Sequence, residues 1–184
     1  MADTDTTVTI IGDGPAGLSA ALILAKDGQD VEVFGDDESR MHDAYLYNYP
    51  GIDEIHGSDF MEVLRDQCED FDTSINHERV DDIDVDDDGF TVTTESGDEY
   101  NSEYTVLATG LDKDLAEEIG LEFDGDSVEA DKFGRTSVDD LYAAGWVMRG
   151  HKIEAAISAG DGQAVALDIL SDIKGEPYHD FDVP

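Results

Sequence analysis

Cysteine is almost missing from this chain: among 184 residues there is one, Cys68. A single thiol excludes an intramolecular disulfide and any internal dithiol chemistry. It follows Phe60, Val63 and Leu64 and precedes Phe71 at helical spacing, a pattern that points to core packing rather than to a reactive group. Basic residues are scarce as well. Ten Lys and Arg face 47 Asp and Glu, a formal net charge of -37, which makes nucleic acid a poor partner. Long apolar runs are lacking: the longest uncharged apolar stretch, 15–25, is shorter than the roughly 20 residues that span a bilayer. The N-terminus is acidic, without the basic region of a signal peptide. The sequence therefore reads as soluble and cytoplasmic, with no membrane partner.

What is present suffices for a fold. Hydrophobic residues make up 40 % of the chain and recur with clear periodicity, so disorder is a poor account of the acidity. Carboxylates on the surface of a folded protein suit a halophilic cytosol, where a Debye length of about 3 Å at molar salt screens their repulsion. The pattern runs strand 8–11, helix 18–26, strand 31–34, which is β-α-β. An amphipathic helix follows at 59–71, capped by Ser58 or Asp59. Ile83, Val85, Phe90, Val92, Tyr100 and Tyr104 alternate around Asp88-Gly89 and Gly97-Asp98 as a β-meander. A buried strand at 104–107, a short helix at 115–119 and a strand at 141–144 come next. A long helix over 153–173 carries a stripe of Ile153, Ala156, Ile157, Ala164, Leu167 and Leu170. The length suggests one domain over 1–184, with 1–110 and 111–184 as two sequence halves of one fold and a loosely held tail from about 175.

Gly12-x-Gly14-x-x-Gly17 lies between a strand and a helix, the context that gives this motif its meaning. Gly12 permits the tight turn, Gly14 lets the backbone approach a pyrophosphate, and Gly17 lets the helix sit against the strands. The helix start then offers free N–H groups and a positive dipole end to a diphosphate. The stretches GDGPAGLSAA, YNYPGID at 47–53, LATG at 107–110, FGRTSVDDLYAAG and IEAAISAGDGQAVA together resemble the flavin domain of thioredoxin-reductase-like pyridine nucleotide-disulfide oxidoreductases. The resemblance runs in order over nearly the whole chain. It implies an α/β, three-layer Rossmann-like FAD/NAD(P)-binding fold with a β-meander, and FAD as cofactor. Carried over by motif, it places Gly12, Gly14, Pro15, Ala16 and Gly17 at the pyrophosphate and Val80 near the adenine. Ala108, Thr109 and Gly110 close over the nucleotide, and a helix starting near Ile153 and Ala155 points at the flavin.

The chain also departs from that family. Residues 111–140 are too few for an inserted NADPH domain, and no CxxC exists, so thioredoxin reductase activity is excluded chemically. The ribose carboxylate is displaced from Gly35 to Asp36. Ser39-Arg40-Met41-His42 replaces a glycine-rich stretch, and the family's Gly-Asp is Gly145-Trp146. Gly160-Asp161-Gly162 has no preceding strand, so its glycines fit close helix packing better than a phosphate loop. Asp84-x-Asp86-x-Asp88-Gly89 with Glu95 matches a calcium-loop spacing, but alternating flanks contradict it and no metal is expected. Arg149, His151 and Lys152 form a basic cluster that reads equally as a ligand contact or a solvated loop. Tyr45, Tyr47 and Tyr49 read first as aromatic core, then as flavin or dimer contacts. No side chain stands out as an acid, base or nucleophile. The leading expectation is an FAD-dependent oxidoreductase fed by a partner protein or by freely docking NAD(P)H. A non-catalytic flavin sensor or electron-transfer module and a degenerate nucleotide-binding domain compete with it. A homodimer is expected from the family's habit of pairing.

Overall fold

The computed structural model describes residues 5–86 and 89–182. Val8, Thr9, Ile10 and Ile11 are all buried, as a strand covered on both faces requires, and they end β1 (Asp5–Ile11). The chain turns through Gly12 into α1 (Pro15–Lys26) and returns in β2 (Val31–Phe34), parallel to β1 with Val8 opposite Val31. α1 begins before the expected Leu18 because Pro15 occupies the first helical position, where a missing N–H costs nothing.

Two short strands, β3 (Tyr45–Leu46) and β4 (Ile55–His56), pair as a hairpin ahead of α2 (Gly57–Glu69). Neither Ser58 nor Asp59 caps α2. His56 does, its Nδ1 accepting from the Ser58 N–H at 3.3 Å. The earlier start depends on Gly57, since a Cβ there would overlap the Met41 carbonyl oxygen. Of the expected stripe, Phe60, Leu64 and Cys68 are buried, whereas Val63 and Phe71 are exposed. Tyr45 and Tyr47 are exposed too, their rings 4.7 Å apart. Only Tyr49 packs inward, 5.0 Å from Phe60. The core reading thus fails for two of the three tyrosines, because the hairpin turns them outward.

β5 (Ser74–Asn76) adds parallel to β2. The meander is β6 (Val80–Asp86), β7 (Gly89–Thr94) and β8 (Glu99–Leu107). Of its first turn, Asp88 lies outside the described residues. Strands flank this segment where a calcium loop needs helices. β8 is continuous through Tyr104–Leu107 rather than two strands. Its first half pairs antiparallel with β7, its second half pairs parallel with β11 (Leu141–Ala143), and its other edge pairs parallel with β1. The parallel order is therefore β5-β2-β1-β8-β11, with the meander branching from β8. Between β8 and β11 lie α3 (Asp114–Ile119) and the hairpin β9 (Phe123–Asp124) and β10 (Ser127–Val128).

After β11 come α4 (Trp146–Arg149) and α5 (Ala155–Lys174). α5 starts two residues after Ile153, and its buried face is not the expected stripe. Ser158, Ala159, Asp161, Gly162, Val165, Ala166, Ile169 and Leu170 are buried, so only Leu170 was anticipated. The helix is rotated because it docks on α1 through its smallest residues, and a Cβ at Gly162 would overlap the Ala16 carbonyl oxygen. Gly160 meets nothing within 4 Å, so close packing accounts for one glycine of that pair. The described tail is tied down: Lys26 donates to Asp180 at 2.8 Å and to Asp182 at 2.5 Å, and the Tyr178 N–H to Ser171 Oγ at 2.9 Å.

One face of the sheet packs on α1, α2 and α5, through Leu18, Leu24, Met61, Val165 and Ile169. The other packs on the meander and α3, through Phe34, Ile83, Phe90, Val92 and Ala116. This is a three-layer Rossmann-like fold, and its sheet order has a switch point: from β1 the chain moves to β2 on one side and β8 lies on the other. Ligands of such folds bind at the carboxyl ends of the strands at that point.

Candidate functional site

A cleft of about 760 Å³ opens at that place, lined by the ends of β1, β2, β8 and β11 and by the starts of α1 and α5. The volume is in the upper part of the roughly 300–1,000 Å³ range of small-molecule sites. Its floor is the glycine turn. Gly12 has φ +115 and no room for a side chain, because a Cβ would overlap the Ala108 carbonyl oxygen, while a Cβ at Gly17 would overlap the carbonyl of Gly12. Gly14 differs: the nearest atom to a Cβ there is Ser39 Oγ at 3.7 Å, so this position faces open cleft. No side chain caps α1, and its first bonded donor is the Leu18 N–H to Gly14. The N–H groups of Ala16 and Gly17 are left for a ligand. α5 is likewise uncapped, Ser158 being its first donor, to Glu154 at 2.9 Å.

Gly12, Gly14, Pro15, Ala16, Asp36, Val80, Ala108, Thr109, Gly110, Trp146, Ile153 and Ala155 all line this cleft. Gly17 and Gly145 do not. Gly17 lies beneath the floor, and Gly145, at φ +75, packs against Ala16 and Ser158, where a Cβ would come 2.8 Å from the Ala16 Cβ. Thr109 is turned to its own loop, its Oγ1 donating to the Asp112 carbonyl at 2.5 Å.

Sequence reasoning missed much of the rim. Arg79 spans the mouth, with Nη1 3.4 Å from Asp36 and Nη2 3.0 Å from Asp112, and the Asp112 hydrogen bond raises its already high pKa. Its position next to Val80 was the only available signal. Asp13, inside the glycine motif itself, is buried and paired with Arg65 at 3.1 Å. Arg65 also donates to Asp37, which receives a further hydrogen bond from His42 at 2.7 Å. Burial pushes the Asp37 carboxyl up, but the bonds from His42 and Arg65 outweigh it and hold it below the usual carboxylate range. In all, nine carboxylate side chains and two guanidinium groups line the cleft.

The basic cluster does not reach it. Arg149 is bound to the buried Asp161, with Nε 2.9 Å from Oδ2, while His151 and Lys152 are exposed. Cys68 is fully buried, its Sγ donating to the Leu18 carbonyl at 3.3 Å, and burial pushes the thiol up to about 12.

This architecture is that of a dinucleotide-binding protein: a switch-point cleft, an uncapped glycine turn and two helix N-termini facing inward. The chain belongs to the pyridine nucleotide-disulphide oxidoreductase family, whose model matches residues 45–162. It is 35 % identical over 148 residues to the thioredoxin reductase tcpT of Claviceps purpurea, covering 77 % of this chain and 43 % of that protein. It is 28 % identical over 140 residues to a ferredoxin–NADP reductase of Thermus thermophilus, covering 70 % of this chain and 42 % of the relative. The chain thus spans less than half the length of these relatives. Among solved structures, a thioredoxin reductase from Gloeobacter violaceus superposes with a TM-score of 0.86 at 18 % identity, over 98 % of this chain and 99 % of that one, a likeness of fold. FAD is the cofactor of this family. The residues present fit it: a Cβ-free floor for the diphosphate, a carboxylate at Asp36 for a ribose, and a cleft running on to the start of α5. Among the described residues, no helix is long and apolar enough to cross a membrane.

Proposed function

We propose that the chain is a single FAD-binding domain of an oxidoreductase that takes electrons from a partner protein or from freely docking NAD(P)H, without dithiol chemistry. The observation that carries this reading is Gly14, the one glycine of the motif that faces open cleft, between two helix starts with free N–H groups. When bound, the isoalloxazine supplies the redox chemistry. The protein supplies the rest. The N–H groups of Ala16 and Gly17 bind the diphosphate, Asp36 accepts from a ribose hydroxyl once Arg79 yields it, and the backbone of Val80 borders the adenine end. The N-terminus of α5 at Ala155 favours negative charge placed beside it.

The buried, unreactive Cys68 favours a second reading, a flavin-binding sensor or electron-transfer module. The acidic composition supports a halophilic, cytosolic setting, and the exposed Tyr45 and Tyr47 suit pairing in a homodimer. FAD titration at molar potassium chloride, followed by flavin fluorescence, is expected to saturate at one FAD per chain. Absence of saturable binding would refute the assignment. Anaerobic mixing of the loaded protein with NADH or NADPH then separates the two readings, since rapid bleaching supports the oxidoreductase and its absence the module.

A further inference from the structure

The cleft poses an electrostatic problem that the backbone alone does not solve. A dinucleotide brings two negative charges on its diphosphate into a site lined by nine carboxylates. Four of the chain's five arginines are already engaged with carboxylates: Arg65 with Asp13 and Asp37, Arg79 with Asp36 and Asp112, Arg135 with Asp168, and Arg149 with Asp161. Arg40 is the exception. Among the described residues no carboxylate lies within salt-bridge distance of it, and its guanidinium rests over the indole of Trp146, 5.6 Å from the ring centroid. Both residues line the cleft.

The backbone of Arg40 is fixed where a diphosphate ligand needs it. Ser39 Oγ is the nearest atom to the open side of Gly14, at 3.7 Å from a Cβ built there, so this segment stands directly over the uncapped start of α1. Ser39 also caps the 3-10 turn 40–43, accepting from the Met41 N–H at 3.3 Å. His42 fastens the turn from the other side, through Ser58 at 3.0 Å and Asp37 at 2.7 Å. The main chain is thus anchored while the side chain stays exposed and unpaired. An exposed cation over an aromatic ring is held weakly, whereas a guanidinium and a phosphate form paired charge-assisted hydrogen bonds that are considerably stronger.

We propose that Arg40 is the diphosphate-recognising side chain of this cleft, and that Trp146 is the surface on which it rests when no diphosphate is present. The proposal rests on the FAD reading above and adds a residue to it. Binding moves the guanidinium from the indole to the diphosphate, and the chain carries its own reporter, because Trp146 is its only tryptophan.

The test follows Trp146 emission and FAD affinity at molar potassium chloride in the parent protein, Arg40→Lys and Arg40→Gln, with FAD, ADP and adenosine as probes. ADP is expected to shift Trp146 emission in the parent and adenosine to leave it unchanged. Arg40→Gln is expected to lose the ADP response and to bind FAD about ten- to a hundredfold more weakly, the range for removing a charged hydrogen bond. Arg40→Lys, which keeps charge but not the fork, should fall between. Melting temperatures of the exposed variants should match the parent, separating lost binding from lost fold. If Arg40→Gln binds FAD within twofold of the parent, this proposal fails while the FAD assignment stands. If the parent binds neither FAD nor ADP, the assignment fails and takes the proposal with it.

Discussion

The floor and the rim of the cleft are built on opposite principles. The floor is backbone: Gly12 and Gly17 leave no space for a Cβ, because the carbonyl of Ala108 abuts the first and that of Gly12 the second. The rim is made of side chains: Asp36, Arg40, Arg79, Asp112 and Trp146 approach from separate parts of the chain and touch through charges and one ring. A backbone floor fixes where a diphosphate lies with almost no freedom to adapt. A side-chain rim sets which ligand stays, under what salt, and with what affinity, so the two regions should respond to substitution very differently.

The largest contrast should come from one substitution in each. Gly14→Val puts a branched side chain into the open space over the helix start and is expected to abolish FAD binding. Trp146→Ala removes only packing and should weaken binding about tenfold. Flavin fluorescence titration at molar salt reads both, and a Gly14→Val protein that binds like the parent would overturn the dinucleotide assignment. Salt comes next. Lowering potassium chloride from molar to about 0.1 M lengthens the Debye length from about 3 to 10 Å, so repulsion in a chain of charge -37 should lower both the melting temperature and FAD affinity. An unchanged melting temperature across that range would sink the halophilic reading.

A smaller effect tests the ionic support behind the rim. The folded pKa of Asp37 is depressed, so its stabilisation is complete above the unfolded value of about 3.9 and is lost as pH falls through the lower folded value. Asp37→Asn should therefore be less stable than the parent at neutral pH, and the gap in urea unfolding should close below about pH 4. A gap that stays constant with pH would mean that Asp37 acts by shape alone. The smallest effect is in α5. Gly160 meets nothing and has ordinary helical dihedrals, so Gly160→Ala should stabilise by up to about 1 kcal/mol, whereas Gly162→Ala, which overlaps Ala16, should destabilise by about 1–3 kcal/mol. Thermal melts of the pair measure how far the rigidity of the floor extends into the helix behind it.

Particular residues show why some of this was legible and some was not. The stretch Val8 to Ile11 announced a buried strand because three of its four residues are apolar and β-branched, and Gly12 and Gly17 announced the turn because a Cβ at either would overlap a backbone carbonyl, whereas Gly14 leaves the space over the helix start open. α5 was legible as a helix but not in its facing: Ile153 and Ile157 suggested one stripe, while docking on α1 selected Ser158, Gly162 and Val165, whose small size permits close approach. Tyr45 and Tyr47 had the alternation of buried residues, yet their hairpin has no layer above it to cover them. Apart from its place next to Val80, Arg79 gave no signal, since its partners Asp36 and Asp112 lie 43 and 33 residues away.

By itself the sequence determined the β-α-β start, the meander, the glycine floor and the family likeness, because each depends on local backbone demands or on short periodic patterns. Tertiary structure decided the rest: the rotation of α5, the forked pairing of β8, the engagement of Arg149 with Asp161, and the unpaired Arg40 resting on Trp146. Those depend on which distant groups meet, and in a chain with 47 carboxylates for ten cations only folding settles which cations are paired and that Arg40, in the cleft, has no carboxylate partner among the described residues.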